Sequence, residues 1–171
     1  MLYQQPSNNA PVALVLVTPE IPANTGNIVR LCAAAAIPLH LVEPLGFSLS
    51  DRLAKRAGLD YWRHCQLTTH LTFESLEDQH PQARFFFLSA RAERSIYELA
   101  LRWGDFLVLG PEAQGLSSRF LSQRNRKKNL VGIPMPGNVR SLNLSTAAGI
   151  VVYEALRQLG ALEKTHAHPH C

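Results

Sequence analysis

The run Val12-Ala-Leu-Val-Leu-Val17 is apolar at every position. Successive side chains of a strand point to opposite faces, so this strand needs cover on both, as an interior strand of a parallel sheet layered with helices has. Shorter apolar runs follow at Leu39 to Val42, Phe85 to Leu88, Phe106 to Leu109 and Leu130 to Ile133, with Cys65 to Leu67 a poorer candidate. Helical stretches fall between them, at Gly26 to Ala36, Asp51 to Ala57, Phe73 to Gln79, Ser117 to Gln123 and Leu144 to Leu159. The alternation predicts an α/β fold, a mostly parallel sheet with helices on both faces.

Composition agrees with one such domain. The chain has 171 residues, 46% hydrophobic and 18% charged, and a chain of this size buries roughly 70% of its unfolded surface in a single core. It is read as a single domain over residues 1–171, with 1–11 and 161–171 as flexible ends. No apolar run approaches the roughly 18 to 20 residues of a membrane span, and Met1 to Pro11 lacks the basic start and apolar core of a secretory signal. A cytoplasmic protein is expected. Cys32, Cys65 and Cys171 are too scattered for a disulfide framework or a zinc site. Seventeen Lys and Arg against 13 Asp and Glu leave a net charge of +4, which permits a polyanionic partner without requiring one.

In an open parallel sheet, ligands gather in loops beyond the carboxyl ends of strands. The first such loop, Thr18-Pro-Glu-Ile-Pro-Ala-Asn-Thr-Gly-Asn-Ile-Val-Arg30, passes two prolines and enters a helix near Asn24 or Thr25, either of which can cap it. Arg30 then sits among Ile28, Val29, Leu31 and Cys32, so its guanidinium either snorkels to solvent or meets an anion.

The second loop, Leu109-Gly-Pro-Glu-Ala-Gln-Gly-Leu116, has glycines for positive φ or close ligand approach and a proline that stiffens the turn. Leu116 stands where a nucleotide-binding P-loop needs lysine, and Gly26 stands alone where a dinucleotide fingerprint needs three glycines. Neither nucleotide site is expected. Glu112 can cap the helix that follows.

The third loop, Ile133-Pro-Met-Pro-Gly-Asn-Val-Arg-Ser-Leu-Asn-Leu-Ser145, crowds Ser141, Asn143 and Ser145 at the start of the last helix, more polar groups than capping alone requires. In that helix Leu144, Ala148, Val151, Val152, Ala155 and Leu159 fall at helical spacing, with Gly160 placed to end it. Ala147 to Gly149, and Ala33 to Ala36 on the first helix, present small-residue surfaces suited to core packing or to a subunit contact.

In order and spacing, the three loops resemble the signature motifs of the SPOUT RNA methyltransferases, in the branch that methylates ribose 2′-hydroxyls. The likeness runs from about Val12 to Gly160. Arg56-Ala-Gly-Leu-Asp-Tyr-Trp62 and Val151-Val-Tyr-Glu-Ala155 further resemble the small members that act on cytidine or uridine 34 of tRNA, the alternatives being an enzyme for another RNA ribose or a noncatalytic RNA-binding relative. The resemblance implies a C-terminal trefoil knot and a homodimer whose active site is shared between subunits. It also implies S-adenosyl-L-methionine as methyl donor, held at Leu88, Gly110, Ile133, Ser141 and Leu142, and the anticodon loop of a tRNA as RNA partner. No metal is expected.

Arg30 is the catalytic residue that the resemblance implies. Arginine keeps its proton far above neutral pH. Its expected role is therefore to orient ribose and phosphate and to stabilise a developing alkoxide, while water or phosphate takes the proton. Glu112, Asn143 and Tyr153 are expected to position substrate.

Two patches suit RNA. Arg52, Lys55, Arg56, Tyr61, Trp62 and Arg63 interleave cations with aromatics, a pattern for phosphates and unstacked bases. Arg124, Arg126, Lys127 and Lys128 form a denser run before the strand at Leu130. A solvated surface accounts for either as readily. The tail Thr165-His-Ala-His-Pro-His-Cys171 is read as a frayed end rather than a metal site.

Overall fold

The computed structural model describes residues 10–48 and 61–162. Among them, six strands form one parallel sheet: β1 (Val12–Val17), β2 (Leu39–Val42), β3 (Leu67–His70), β4 (Phe85–Leu88), β5 (Asp105–Leu109) and β6 (Leu130–Val131). Their order across the sheet is β3-β2-β1-β5-β4-β6. The helices are α1 (Pro22–Ala35), α2 (Phe73–Gln79), α3 (Ser118–Ser122) and α4 (Leu144–Gln158).

β1 lies between β2 and β5, with Leu14 opposite Leu39 on one side and Leu107 on the other. Its alternation divides the interior into two layers. Val12, Leu14 and Leu16 join a core with Ile28, Val29 and Cys32 of α1 and Ala148, Val151 and Val152 of α4. Ala13, Val15 and Val17 join a second core with Phe73 and Leu76 of α2, Leu121 of α3, and Phe85, Phe87 and Phe106. Helices therefore cover both faces, as the unbroken apolar run demands. Each Val or Leu taken out of water here contributes about 1.5–3 kcal/mol, so a charge placed on either face of β1 would meet a filled layer.

Boundaries differ from the sequence reading where local chemistry intervenes. α1 begins at Pro22 rather than Gly26, using proline's tolerance for the first turn, and Ile21 is its N-cap with no side-chain cap. Asn24 and Thr25 thus lie inside the helix and do not cap it. β3 starts at Leu67 because Cys65 closes a turn, donating its N–H to the Tyr61 carbonyl at 3.0 Å. β6 stops at Val131 because Gly132 turns aside, donating to the Arg94 carbonyl and accepting from Ile96 N–H, each at 2.9 Å. The 3-10 turns Ile96–Glu98 and Gln123–Asn129 were not foreseen. The helix expected at Asp51 to Ala57, the cations Arg52, Lys55 and Arg56, and the histidine-rich tail lie outside the described residues.

On the α2 side, His40 and His70 are buried, with the half-buried His80 beside them. Nδ1 of His40 and Nε2 of His70 are 2.9 Å apart, and the His80 ring packs edge-on to His40 with centroids 5.9 Å apart. Burial, then the charges of His70 and His80, push His40 down to about 3. Among the described residues, no helix is long and apolar enough to cross a membrane, and no group of three or more His, Cys, Asp or Glu could hold a metal ion.

Candidate active site

The strands run one way, so the loops after β1, β4, β5 and β6 leave the sheet at one edge. From β1 the chain moves outward to β2 and β3; it later returns to fill β4, β5 and β6 on the other side. A crevice at such a reversal is where open α/β sheets take ligands. Here a cavity of about 810 Å³ is lined by Leu88, Gly110, Glu112, Ile133, Ser141, Leu142 and Asn143. All five residues expected to hold a cofactor meet in it, together with two of the three expected to position substrate.

Gly110 is required by the path of its loop. A Cβ there would lie 2.5 Å from the Leu116 nitrogen and 2.6 Å from the Gly115 carbonyl carbon. The loop folds back on itself, with Gly115 N–H donating to the Pro111 carbonyl at 2.8 Å. Main-chain groups of this turn therefore stand close to the cavity.

Carboxylates and amides tie the loops together. Glu112 does not cap the helix after it; it serves α1, at the other end of the sequence. Its carboxylate accepts the N–H groups of Glu20 at 2.8 Å and Ile21 at 3.2 Å, and the Asn24 side-chain amide at 3.1 Å. This places a negative charge at the positive end of α1, whose first turn holds no acidic residue. Glu20 answers by accepting the Ala113 N–H at 2.9 Å. Asn24, buried to 7% exposure, also accepts from Nδ2 of Asn143 at 3.0 Å. The other end of Asn143 caps α4, its Oδ1 accepting from Ser145 N–H at 2.9 Å and Ser145 Oγ at 2.7 Å. Of the three polar residues crowding this start, Asn143 and Ser145 are engaged in the cap, and Ser141 lines the cavity.

Arg30 and Tyr153 are not among the cavity's lining residues. Arg30 is exposed on α1, six residues beyond Asn24 and so roughly 9 Å further along the axis. Its guanidinium carbon lies 4.9 Å from the centroid of the Tyr61 ring. Tyr153 is 47% exposed on α4.

Half of the second basic patch is structural. The Arg126 side chain, 1% exposed, pairs with Glu74 at 2.7 Å and Glu77 at 2.9 Å between the rings of Phe73 and Phe120. Arg124 pairs with Asp78 at 2.7 Å and Glu77 at 3.2 Å. These contacts hold the 3-10 segment against α2, leaving Lys127 and Lys128 exposed. The signal was legible: α2 carries Glu74, Glu77 and Asp78 in one short stretch. The reading of the sequence also missed Glu20, whose partner Ala113 is 93 positions away, and the bridging use of Asn24, whose partners are 88 and 119 positions away. It passed over Arg91 and Arg140, which line the cavity.

A doubly covered parallel sheet with a loop-built cavity at its carboxyl edge defines a class of ligand-binding α/β domain. The chain belongs to the SpoU rRNA methylase family, whose model matches residues 11–153. It is 46% identical, over 86% of its length and 95% of the relative's, to the tRNA (cytidine(34)-2′-O)-methyltransferase of Saccharophagus degradans. A solved structure, described as giving insights into the 2-OH methylation of C/U34 on tRNA, matches with a TM-score of 0.82 and 49% identity, over 88% of this chain and 97% of that one. The SpoU methyltransferase AviRb from Streptomyces viridochromogenes, solved in complex with AdoMet, shares the fold at a TM-score of 0.78 and 21% identity, over 90% of this chain and 59% of that one.

Proposed function

We propose that the chain is an S-adenosyl-L-methionine-dependent methyltransferase acting on the ribose 2′-hydroxyl of nucleotide 34, cytidine or uridine, in the anticodon loop of tRNA. It works in the cytoplasm as a homodimer and carries the family's trefoil knot. The observation that supports this best is the meeting of Leu88, Gly110, Ile133, Ser141 and Leu142 in one cavity, in a chain so similar over nearly its whole length to a named tRNA (cytidine(34)-2′-O)-methyltransferase.

The cavity fits the cofactor in size and chemistry. Its volume of about 810 Å³ falls within the roughly 300–1,000 Å³ usual for small-molecule sites. Leu88, Ile133 and Leu142 offer apolar contact for a purine, and the main chain around Gly110 offers close polar groups. Arg91 and Arg140, also in the lining, supply positive charge for a carboxylate. When bound, the cofactor supplies a methyl group made electrophilic by its sulfonium sulfur.

The chain's own residues have to bring a ribose hydroxyl into line with that methyl. Arg30 does this with a planar fork of N–H donors suited to ribose and phosphate oxygens, and it stabilises the alkoxide as it develops. It keeps its own proton throughout; water or a phosphate oxygen takes the one leaving the hydroxyl. Glu112 and Asn143 act one step back. Both are already engaged with Asn24, so they position the loops rather than the RNA. Tyr153, exposed on α4, is left to touch substrate.

Because Arg30 is exposed and does not line its own chain's cavity, the working site pairs it with the cavity of a second copy. The small residues of α1 and α4 let two backbones approach closely at such a contact. The test is chromatography and mass spectrometry of nucleosides from unmodified tRNA treated with the protein and S-adenosyl-L-methionine. A 2′-O-methyl group at position 34 is expected; methylation elsewhere, or none, would contradict the proposal.

A further inference from the structure

We propose that Tyr61 is a positioning residue for Arg30, its ring fixing the plane of the guanidinium so that the N–H fork is aimed before RNA arrives. This rests on the role given to Arg30 above.

The ring is Arg30's one partner among the described residues, with the guanidinium carbon 4.9 Å from the ring centroid. A free arginine samples many rotamers, and a two-pronged contact with ribose or phosphate has to freeze them. An aromatic face attracts one face of the cation and leaves the edge N–H groups open to a ligand. That is the arrangement a preset clamp needs.

Tyr61 is itself held in place, although 37% exposed. Its carbonyl accepts the N–H groups of His64 at 2.9 Å and Cys65 at 3.0 Å, closing a tight turn. Trp62 and Cys65 of that turn pack against the core cluster to which Cys32 belongs. Cys32 lies on α1 two residues beyond Arg30. The turn that carries the ring is thus anchored to the helix that carries the cation. Tyr61 belongs to the patch of interleaved cations and aromatics, and one face of its ring meets Arg30.

The first test needs neither activity nor cofactor. In an NMR spectrum of the protein, the Arg30 Nε–H signal, assigned by its loss in Arg30→Lys, should be shifted upfield by the ring; a random-coil position would overturn the proposal. The second is kinetic. Tyr61→Leu should lower kcat by about threefold to tenfold with cofactor affinity unchanged, while Tyr61→Phe stays within about twofold of the unaltered protein. In an Arg30→Lys background, Tyr61→Leu should cost nothing more. An undiminished cost there would mean that Tyr61 acts on RNA directly, and would overturn the proposal. Full methyl transfer by Arg30→Lys would remove the role of Arg30 itself. A slow Arg30→Lys beside a Tyr61→Leu of unaltered rate would remove only that of Tyr61.

Discussion

Asn143 and Asn24 stand 119 positions apart in the chain and are joined by a hydrogen bond of 3.0 Å from Nδ2 to Oδ1. The same Asn24 amide donates to Glu112 at 3.1 Å, so loops from three parts of the sequence meet on one buried side chain. Asn24→Ala would leave Asn143 without its donor's partner and loosen the cavity wall. We expect a loss of about 1–3 kcal/mol in stability and weaker S-adenosyl-L-methionine binding by calorimetry. Unchanged cofactor affinity would contradict this.

Glu112→Gln keeps the shape but removes the charge at the start of α1 and swaps one acceptor oxygen for a donor. Urea unfolding should show a loss of about 1–2 kcal/mol. Turnover should fall together with cofactor affinity, because the loops shift as a unit. A fall in turnover alone would place the carboxylate on the substrate instead.

Arg126 gives a prediction that separates structure from RNA binding. Arg126→Met removes the buried guanidinium that joins Glu74 to Glu77 and leaves Glu77 with Arg124 alone; with Glu74 partly in solvent, the loss should be about 1–3 kcal/mol. Arg126 also holds the Glu74 carboxyl below its ordinary range through a hydrogen bond. That contribution is present above the unfolded carboxyl value and fades as pH falls through the folded one. Lys127→Ala should change stability by less than about 0.5 kcal/mol. A lowered salt dependence of tRNA binding in Arg126→Met, with unfolding unchanged, would show that the guanidinium meets phosphate after all.

The histidine group sets an acid limit. His40 falls from an ordinary 6.5 to about 3 in the fold, so the unfolded chain binds more protons in between. This contribution is complete above about pH 6.5 and is lost as pH drops toward 3, by about 5 kcal/mol at most. His70 and His80 are lowered too, chiefly by burial. Urea midpoints measured from pH 7 to pH 4 should fall steeply, and His40→Phe should flatten the fall. An equally steep fall in the variant would acquit His40.

The architecture was legible because burial on both faces writes itself into the sequence: β1 is apolar at every position, and the spacing of Leu144, Ala148, Val151 and Ala155 marks α4 directly. The cavity was legible through its loops, where proline, glycine and clustered polar residues signal a shaped turn. The clasp was not. A cap supplied by Glu112 to α1 leaves no local pattern, so Asn24 read as a cap although its amide bridges two distant loops. Arg126 misled for the opposite reason, since a cation next to other cations looks solvated until acidic α2 is laid against it. The role proposed for Arg30 was read from the resemblance alone, because an exposed arginine on a helix carries no local pattern that distinguishes it from a solvated one.

The proposed site joins the cavity of one subunit to Arg30 of the other, and mixing two inactive variants tests it most directly. Arg30→Ala keeps the cavity, whereas Gly110→Ala keeps Arg30 but pushes a Cβ into the Gly115 and Leu116 main chain; circular dichroism would establish that each folds. After unfolding and joint refolding in equal amounts, half the dimers are mixed and each holds one intact site. Methyl transfer to position 34 should then return to about a quarter of the unaltered rate. If the mixture stays as inactive as its parts, although mixed dimers have formed, the shared site is wrong.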